Sequence, residues 1–396
     1  MGLGISVFLS IYVTAAVMAL TVAYLIWTQK LKSVALYSPG IQYLWALCAL
    51  GIIAAIESNN NIGVLIVVAL AGSFLIGAFV RSVMTRALFD KLAAALCAAS
   101  LIAFMAGLIQ YLSFDDTARI CSVFTNANYY AAVTEFMALL AMYKLFRAEK
   151  TGQKGFYATV IAINAAGLYF SGCRTAIFVL FAAVSLMLLL YRRYKTLTAF
   201  WAFCLFIAAL IAGLPDVFPR MSQLGSDMGT RLAIWHRAIA EIVKHPLFGE
   251  GALAFAGLHF TVDGMHIIHA HSIYLETVLC FGIAGVALIL AYIQKNLSPI
   301  WQMRRSNQDR DTFVLMVGLL FSLALHGTVD ATPFNVQTGL LFMLALASAG
   351  IQENLQPALM RLPVYRGAYL QSGEAGQNRR TIEAAKNNPA YTKKSA

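Results

Sequence analysis

Of the chain's 396 residues, 60% are hydrophobic and only 12% charged, with a mean hydropathy of +0.72. A soluble globule carries about 25% charged residues, so that class is excluded and a polytopic membrane protein is expected. The net charge of +11 does not call for a nucleic acid, because the cytoplasmic loops of membrane proteins collect Lys and Arg.

A helix needs roughly 20 apolar residues to cross the bilayer core. Eleven apolar runs of about that scale, with ten to twelve as the working range, fall at residues 5–27, 34–56, 62–80, 92–112, 121–143, 156–170, 175–190, 197–214, 272–293, 313–325 and 336–351. The first has no basic n-region and is long enough to span, so it reads as a transmembrane helix and not a cleavable signal. Ser38-Pro39-Gly40 interrupts the second and delays its start. The fold class is therefore all-α, with residues 1–118 as N-terminal transmembrane helices, 119–350 as a second membrane unit and 351–396 as a basic tail, solvated and disordered in the cytoplasm.

Alternate connections hold all but six of the 29 Lys and Arg residues. The positive-inside rule then puts the N-terminus outside, the C-terminus inside and the loop 215–270 outside. The six exceptions are Arg119, Arg174, Arg220, Arg231, Arg237 and Lys244. Arg174, in Ser171-Gly172-Cys173-Arg174-Thr175, sits at the membrane end of two closely spaced helices. An arginine at bilayer depth costs about 2.5–3.5 kcal/mol on insertion scales, so it is expected to be paired or functional. The six cysteines are scattered singly and read as small apolar packing residues.

Most of the seven histidines gather between residues 229 and 285. That stretch begins with an amphipathic helix, which Asp227 or Thr230 is expected to cap and His245-Pro246 to stop. Arg231, Ile234, Trp235, Ala238 and Ile242 share one face, with Arg237, Glu241 and Lys244 on another, as in a helix lying on the membrane surface. Trp235 fits an interfacial anchor; Arg231 one turn before it does not. His266, His269 and His271 follow. Their spacing lacks the i, i+4 register and the neighbouring carboxylate of a helical zinc site, so no metal is expected. A neutral imidazole is instead suited to act as general base toward a sugar hydroxyl.

Four blocks resemble a known family. Ala270-His271-Ser272-Ile273-Tyr274-Leu275-Glu276 with Phe281-Gly282-Ile283-Ala284-Gly285 is similar to a signature of the O-antigen ligase and polymerase superfamily. Thr230 to Trp235 with His245 to Gly251, Cys173-Arg174-Thr175-Ala176, and Arg119 to Ala131 match three further elements in the family's order. Ser272 and Ala127 stand where the family usually has Asn and Pro.

The resemblance implies a GT-C-like membrane glycosyltransferase at the external face of the bacterial cytoplasmic (inner) membrane, with 119–350 as its catalytic unit. It would transfer or polymerise an oligosaccharide from an undecaprenyl-diphosphate donor onto a glycan or lipid acceptor hydroxyl, with inversion and without metal or cofactor. Membrane lipids are the other partner; no nucleic acid is expected. Arg174 and Arg231 would hold the diphosphate and His271 would be the base. Arg119, Asn126 and Asn128 would line the donor groove or cap a helix. Trp235 and Ser272 would contact substrate, His269 would orient His271 or the acceptor, and Glu276 would fix a ring tautomer or lie at the interface. His326 and Asp330, one helical turn apart, would face the same side and meet the sugar.

A transporter or lipid-sugar flippase is the alternative, but Glu135 is the one evident mid-span acid and no internal repeat is visible, whereas transporters place their sites near the midplane. The 270–276 element argues against a lipid-linked peptidoglycan polymerase. Ligase and polymerase stay unseparated, with the 119–131 block leaning toward polymerase.

Overall fold

The structure, a computed structural model, describes residues 1–113, 119–213, 224–262, 264–304 and 310–351. Arg220 and the tail from 352 onward lie outside them. The described chain is almost wholly helical: α1 (Gly2–Ser6), α2 (Ile11–Trp27), α3 (Lys30–Tyr37), α4 (Ile41–Glu57), α5 (Asn61–Val83), α6 (Arg86–Ser113), α7 (Ala127–Arg147), α8 (Thr151–Ser171), α9 (Arg174–Leu190), α10 (Tyr194–Gly213), α11 (Leu224–Ile242), α12 (Ala254–Gly257), α13 (Ile273–Met303), α14 (Arg310–His326) and α15 (Val336–Leu346). One two-stranded antiparallel hairpin, β1 (Thr261–Val262) and β2 (Met265–His266), is the exception.

Each of the eleven apolar runs carries a helix, but among the described residues α5, α6 and α13 alone are long and apolar enough by themselves to cross a membrane; a fourth span arises if α2 and α3, bent by 97°, count together. One expectation is corrected. The first run is not continuous, because the chain breaks after Ser6 and restarts at Ile11, where the Ser10 hydroxyl accepts the Val13 N–H at 3.2 Å and caps the new helix. The second run divides at Ser38-Pro39-Gly40 as expected, with Gly40 in the left-handed φ of +73° that glycine tolerates.

α7 is the central element. Residues 130–143 are buried all round, and a shared core joins Phe136, Met137 and Leu140 to Val7 of the N-terminal segment, Leu96 of α6 and Leu315 of α14. Small residues on its neighbours permit this: a Cβ on Gly167 of α8 would overlap the Tyr130 hydroxyl.

One end of the bundle carries the basic connections. There Lys144 pairs with Asp90 at 3.1 Å, Arg147 with Asp311 at 3.5 Å, and Arg81 donates to the side chain of Asn296 at 2.8 Å. The opposite end holds the α8–α9 turn, the start of α7, α11 and the start of α13.

α13 is broken at Gly282 (φ 61°, ψ −171°). A break in a helix orphans carbonyls before it and amides after it, and residues 246–251 supply the partners. Glu250 and Gly251 amides donate to Leu279 and Cys280 carbonyls at 3.0 and 2.9 Å, while Ile283 and Ala284 amides donate to Pro246 and Leu247 carbonyls at 3.0 and 3.1 Å. The fit is backbone against backbone: a Cβ on Gly249 would come within 2.6 Å of Leu279 O, and one on Gly282 would overlap the Leu247 carbonyl. Asn60, which caps α5, clamps the loop from the other side by donating to Ala252 O at 2.9 Å.

The amphipathic helix also departs from expectation. α11 begins at Leu224, so positions 227 and 230, expected at its start, lie inside it. Glu241 is not on a solvated face: it is 3% exposed, against the core of Ile234 and Ala238, and pairs with Arg237 at 2.8 Å and Lys244 at 2.7 Å.

Candidate active site

A cleft of about 940 Å³ opens among the first turns of α7 and α9, α11, and the segment from the hairpin to α13. Its lining includes Arg119, Asn126, Asn128, Arg174, Arg231, His269 and His271. Residues from all four family-like blocks thus share one concave surface, the 245–251 and 281–285 segments excepted.

Local sequence explains each placement. Gly172, at φ +61°, ends α8 in the left-handed conformation and turns the chain at once into α9, so Arg174 is the first helical residue there. A helix N-terminus is electropositive, and it faces the cleft together with the guanidinium. Asn126 caps α7, its side chain accepting the Asn128 N–H at 2.8 Å. Arg119 donates from Nε to Ser171 O at 2.8 Å and from Nη2 to Asn128 Oδ1 at 2.5 Å.

Asn128 passes the connection on, donating from Nδ2 to Asp330 Oδ2 at 2.6 Å. Asp330 is 2% exposed, its Oδ1 accepts the Ala331 N–H at 2.8 Å, and the same oxygen stands 3.6 Å from Nδ1 of His271. That separation is beyond hydrogen-bond length, so the attraction is electrostatic. Burial alone would raise the Asp330 pKa, but the His271 imidazole, with His269 and His326, outweighs it and holds the carboxyl below the usual range.

The loop before α13 is fixed from several sides. His271 adopts φ +46°, a left-handed backbone that a side-chain-bearing residue rarely takes. Its N–H donates to His269 Nδ1 at 3.2 Å, and its carbonyl accepts the Trp235 indole N–H at 3.4 Å. Glu276, 4% exposed, accepts the Ala270 N–H at 2.7 Å, so within α13 it braces the loop through the backbone. Ser272 precedes the helix and its hydroxyl accepts the Leu275 N–H at 3.5 Å, the capping place that Asn fills equally well. Burial and the neighbouring His271 lower the pKa of His269 to about 4, leaving it neutral near pH 7.

Five of the expected residues do not line the cleft: Trp235, Ser272, Glu276, His326 and Asp330. His326 ends α14 and Asp330 follows one turn on, its N–H donating back to the His326 carbonyl at 3.2 Å, but neither side chain lies on the cleft wall where a sugar contact was expected. His326, 3% exposed, points its Nδ1 at Glu135 Oε2, 2.9 Å away, and Ser322 donates to the other oxygen of Glu135. The mid-span acid is thus satisfied within the bundle, and neither member of the pair reaches the cleft. Its partners lie some 190 positions away, with no local pattern to announce them.

The carboxylate that the histidine cluster lacked in sequence is Asp330. His269, His271 and Asp330 each place a potential ligand atom within 4.8 Å of the others.

A largely apolar helical chain with a basic, histidine-bearing cleft at one end has the make-up of a multi-pass membrane protein. Residues 158–290 match the family described as O-antigen ligase, which supports the O-antigen ligase and polymerase superfamily and a membrane glycosyltransferase-like role in polysaccharide biosynthesis. The match covers α9, α11 and the first half of α13, and so takes in Arg174, Arg231 and His271. No curated protein matches the chain.

Proposed function

We propose that the protein transfers a glycan from a lipid diphosphate, of the undecaprenyl type, to an acceptor hydroxyl at the external membrane face. The observation that carries this reading is the convergence of Arg119, Arg174 and Arg231 with His269 and His271 on one cleft. Guanidinium groups neutralise diphosphate oxygens bidentately, and the electropositive start of α9 adds to them. His271 takes the acceptor proton while the acceptor oxygen attacks the anomeric carbon. The bond from that carbon to the diphosphate oxygen breaks on the opposite face, giving inversion, and the charge of the leaving group falls to the arginines.

Asp330 and Asn128 are positioning residues in this scheme. The buried carboxylate stabilises the imidazolium that forms on His271, and Asn128, held by Arg119, fixes the carboxylate. A base so placed contributes typically 10²- to 10⁴-fold.

Proteoliposomes given a lipid-diphosphate-linked oligosaccharide test the reading. A new glycosidic product is expected, either a longer lipid-linked chain or a glycan on another acceptor. Movement of the donor across the bilayer with no new bond would support the flippase instead.

A further inference from the structure

We propose that His269, His271 and Asp330 form a binding site for a borderline d-block cation, Zn²⁺ foremost, and that occupation of this site arrests the transferase. The inhibition rests on the base assignment of His271; the binding does not.

The geometry is that of a three-ligand cluster at the wall of the cleft. All three ligand atoms lie within 4.8 Å of one another, and both imidazoles line the cleft. Zinc bonds of about 2.0–2.1 Å set ligand atoms about 3.3 Å apart in a tetrahedral shell. The 3.6 Å from His271 Nδ1 to Asp330 Oδ1 is too long for a hydrogen bond but close to that edge, and Nδ1 is buried without a hydrogen-bonding partner. The carboxylate is already oriented by Asn128 and the Ala331 amide, as ligating carboxylates are. Two features lower the affinity: the arginines of the cleft repel a cation, and ligation by His269 competes with the bond its Nδ1 accepts from the His271 amide.

Two imidazoles and one carboxylate favour Zn²⁺, Co²⁺ or Cu²⁺ over Mg²⁺ and Ca²⁺, which demand oxygen shells. An imidazole bound to metal through one nitrogen keeps its proton on the other. It has no lone pair left to accept the acceptor's proton, and transfer stops.

The test is Zn²⁺ titration of chelator-stripped full-length protein in nanodiscs, with Co²⁺ as a spectroscopic stand-in and Mg²⁺ as the control cation, alongside the transfer assay. One Zn²⁺ per chain is expected, with no Mg²⁺ bound, at least tenfold weaker binding in His269→Ala and Asp330→Asn, and unchanged binding in His266→Ala. Transfer falls over the same Zn²⁺ range and returns on chelation. Absence of stoichiometric Zn²⁺ in the wild-type protein overturns the site, as does equal binding in the two ligand variants. Binding with undiminished transfer overturns the inhibition together with the base assignment. Absent binding with transfer abolished in His271→Ala overturns the metal site alone.

Discussion

Asn128 donates to the Asp330 carboxylate over 2.6 Å and so ties the first turn of α7 to the turn that follows α14, 202 positions away. Everything proposed for His271 depends on that tie, because Asp330 has no other side-chain hydrogen-bond donor among the described residues. Asp330→Asn is expected to lower kcat by about 10²-fold or more, while Asn128→Ala, which leaves one carboxylate oxygen buried without its donor, costs on the order of tenfold. Both variants should leave KM for the lipid-linked donor within about twofold, since neither removes a guanidinium. A change confined to KM in steady-state assays would place the pair in substrate binding instead.

Arg174→Ala and Arg231→Ala are expected to act differently. Each removes a guanidinium from the leaving group, so kcat/KM falls by about 10²-fold, and Lys restores part of it because a point charge replaces the bidentate fork. Comparable rates for Ala and Lys variants in the same assay would show that charge at these positions is not used.

Gly282→Ala should disrupt folding with no direct effect on chemistry. The added Cβ overlaps the Leu247 carbonyl, and φ of 61° is strained for any residue with a side chain. A stability loss on the order of 3 kcal/mol is expected, visible as a lower Tm in detergent. A Tm equal to wild type would mean that residues 246–251 do not seat in the break of α13.

Ser272 stands where the family usually has Asn, yet the two are interchangeable as helix caps. Ser272→Ala is expected to cost about 1 kcal/mol and Ser272→Asn close to nothing, as read by thermal denaturation. Equal losses for both would show that packing, not capping, selects the serine.

The pH dependence of stability has a defined sign. His269 carries a pKa of about 4 in the folded chain against the usual 6.5, so the unfolded state binds the extra proton and stability falls as pH drops from about 6.5 to about 4. Asp330, depressed in the fold, adds a further loss below the usual carboxylate pKa. His269→Gln should flatten the upper part of this profile and leave the lower part; an unchanged profile would contradict the burial of a neutral imidazole.

The helices were legible because apolar runs at bilayer length have few other readings, and the cleft was foreshadowed because Arg119, Arg174, Arg231 and His271 sit in short local blocks. What escaped is non-local. Asp330 looked like a sugar contact at the end of a helix, and only the fold shows it buried behind His271. Glu135 read as a lone mid-span acid, although Ser322 and His326 satisfy it from α14. Gly249 and Gly282 could be seen as turn or motif glycines, but that one loop closes the other's broken helix requires both backbones. The start of α11 was misplaced because a good capping residue, such as Thr230, also occurs inside helices.

The most direct measurement is glycan transfer by His271→Ala beside the wild-type protein, in proteoliposomes of matched protein content and Tm, with and without a chelator. Transfer at least about 10²-fold slower in the variant is expected, with no loss of wild-type transfer on adding the chelator. Transfer at the wild-type rate by a folded His271→Ala protein would contradict the assignment of His271 as the base.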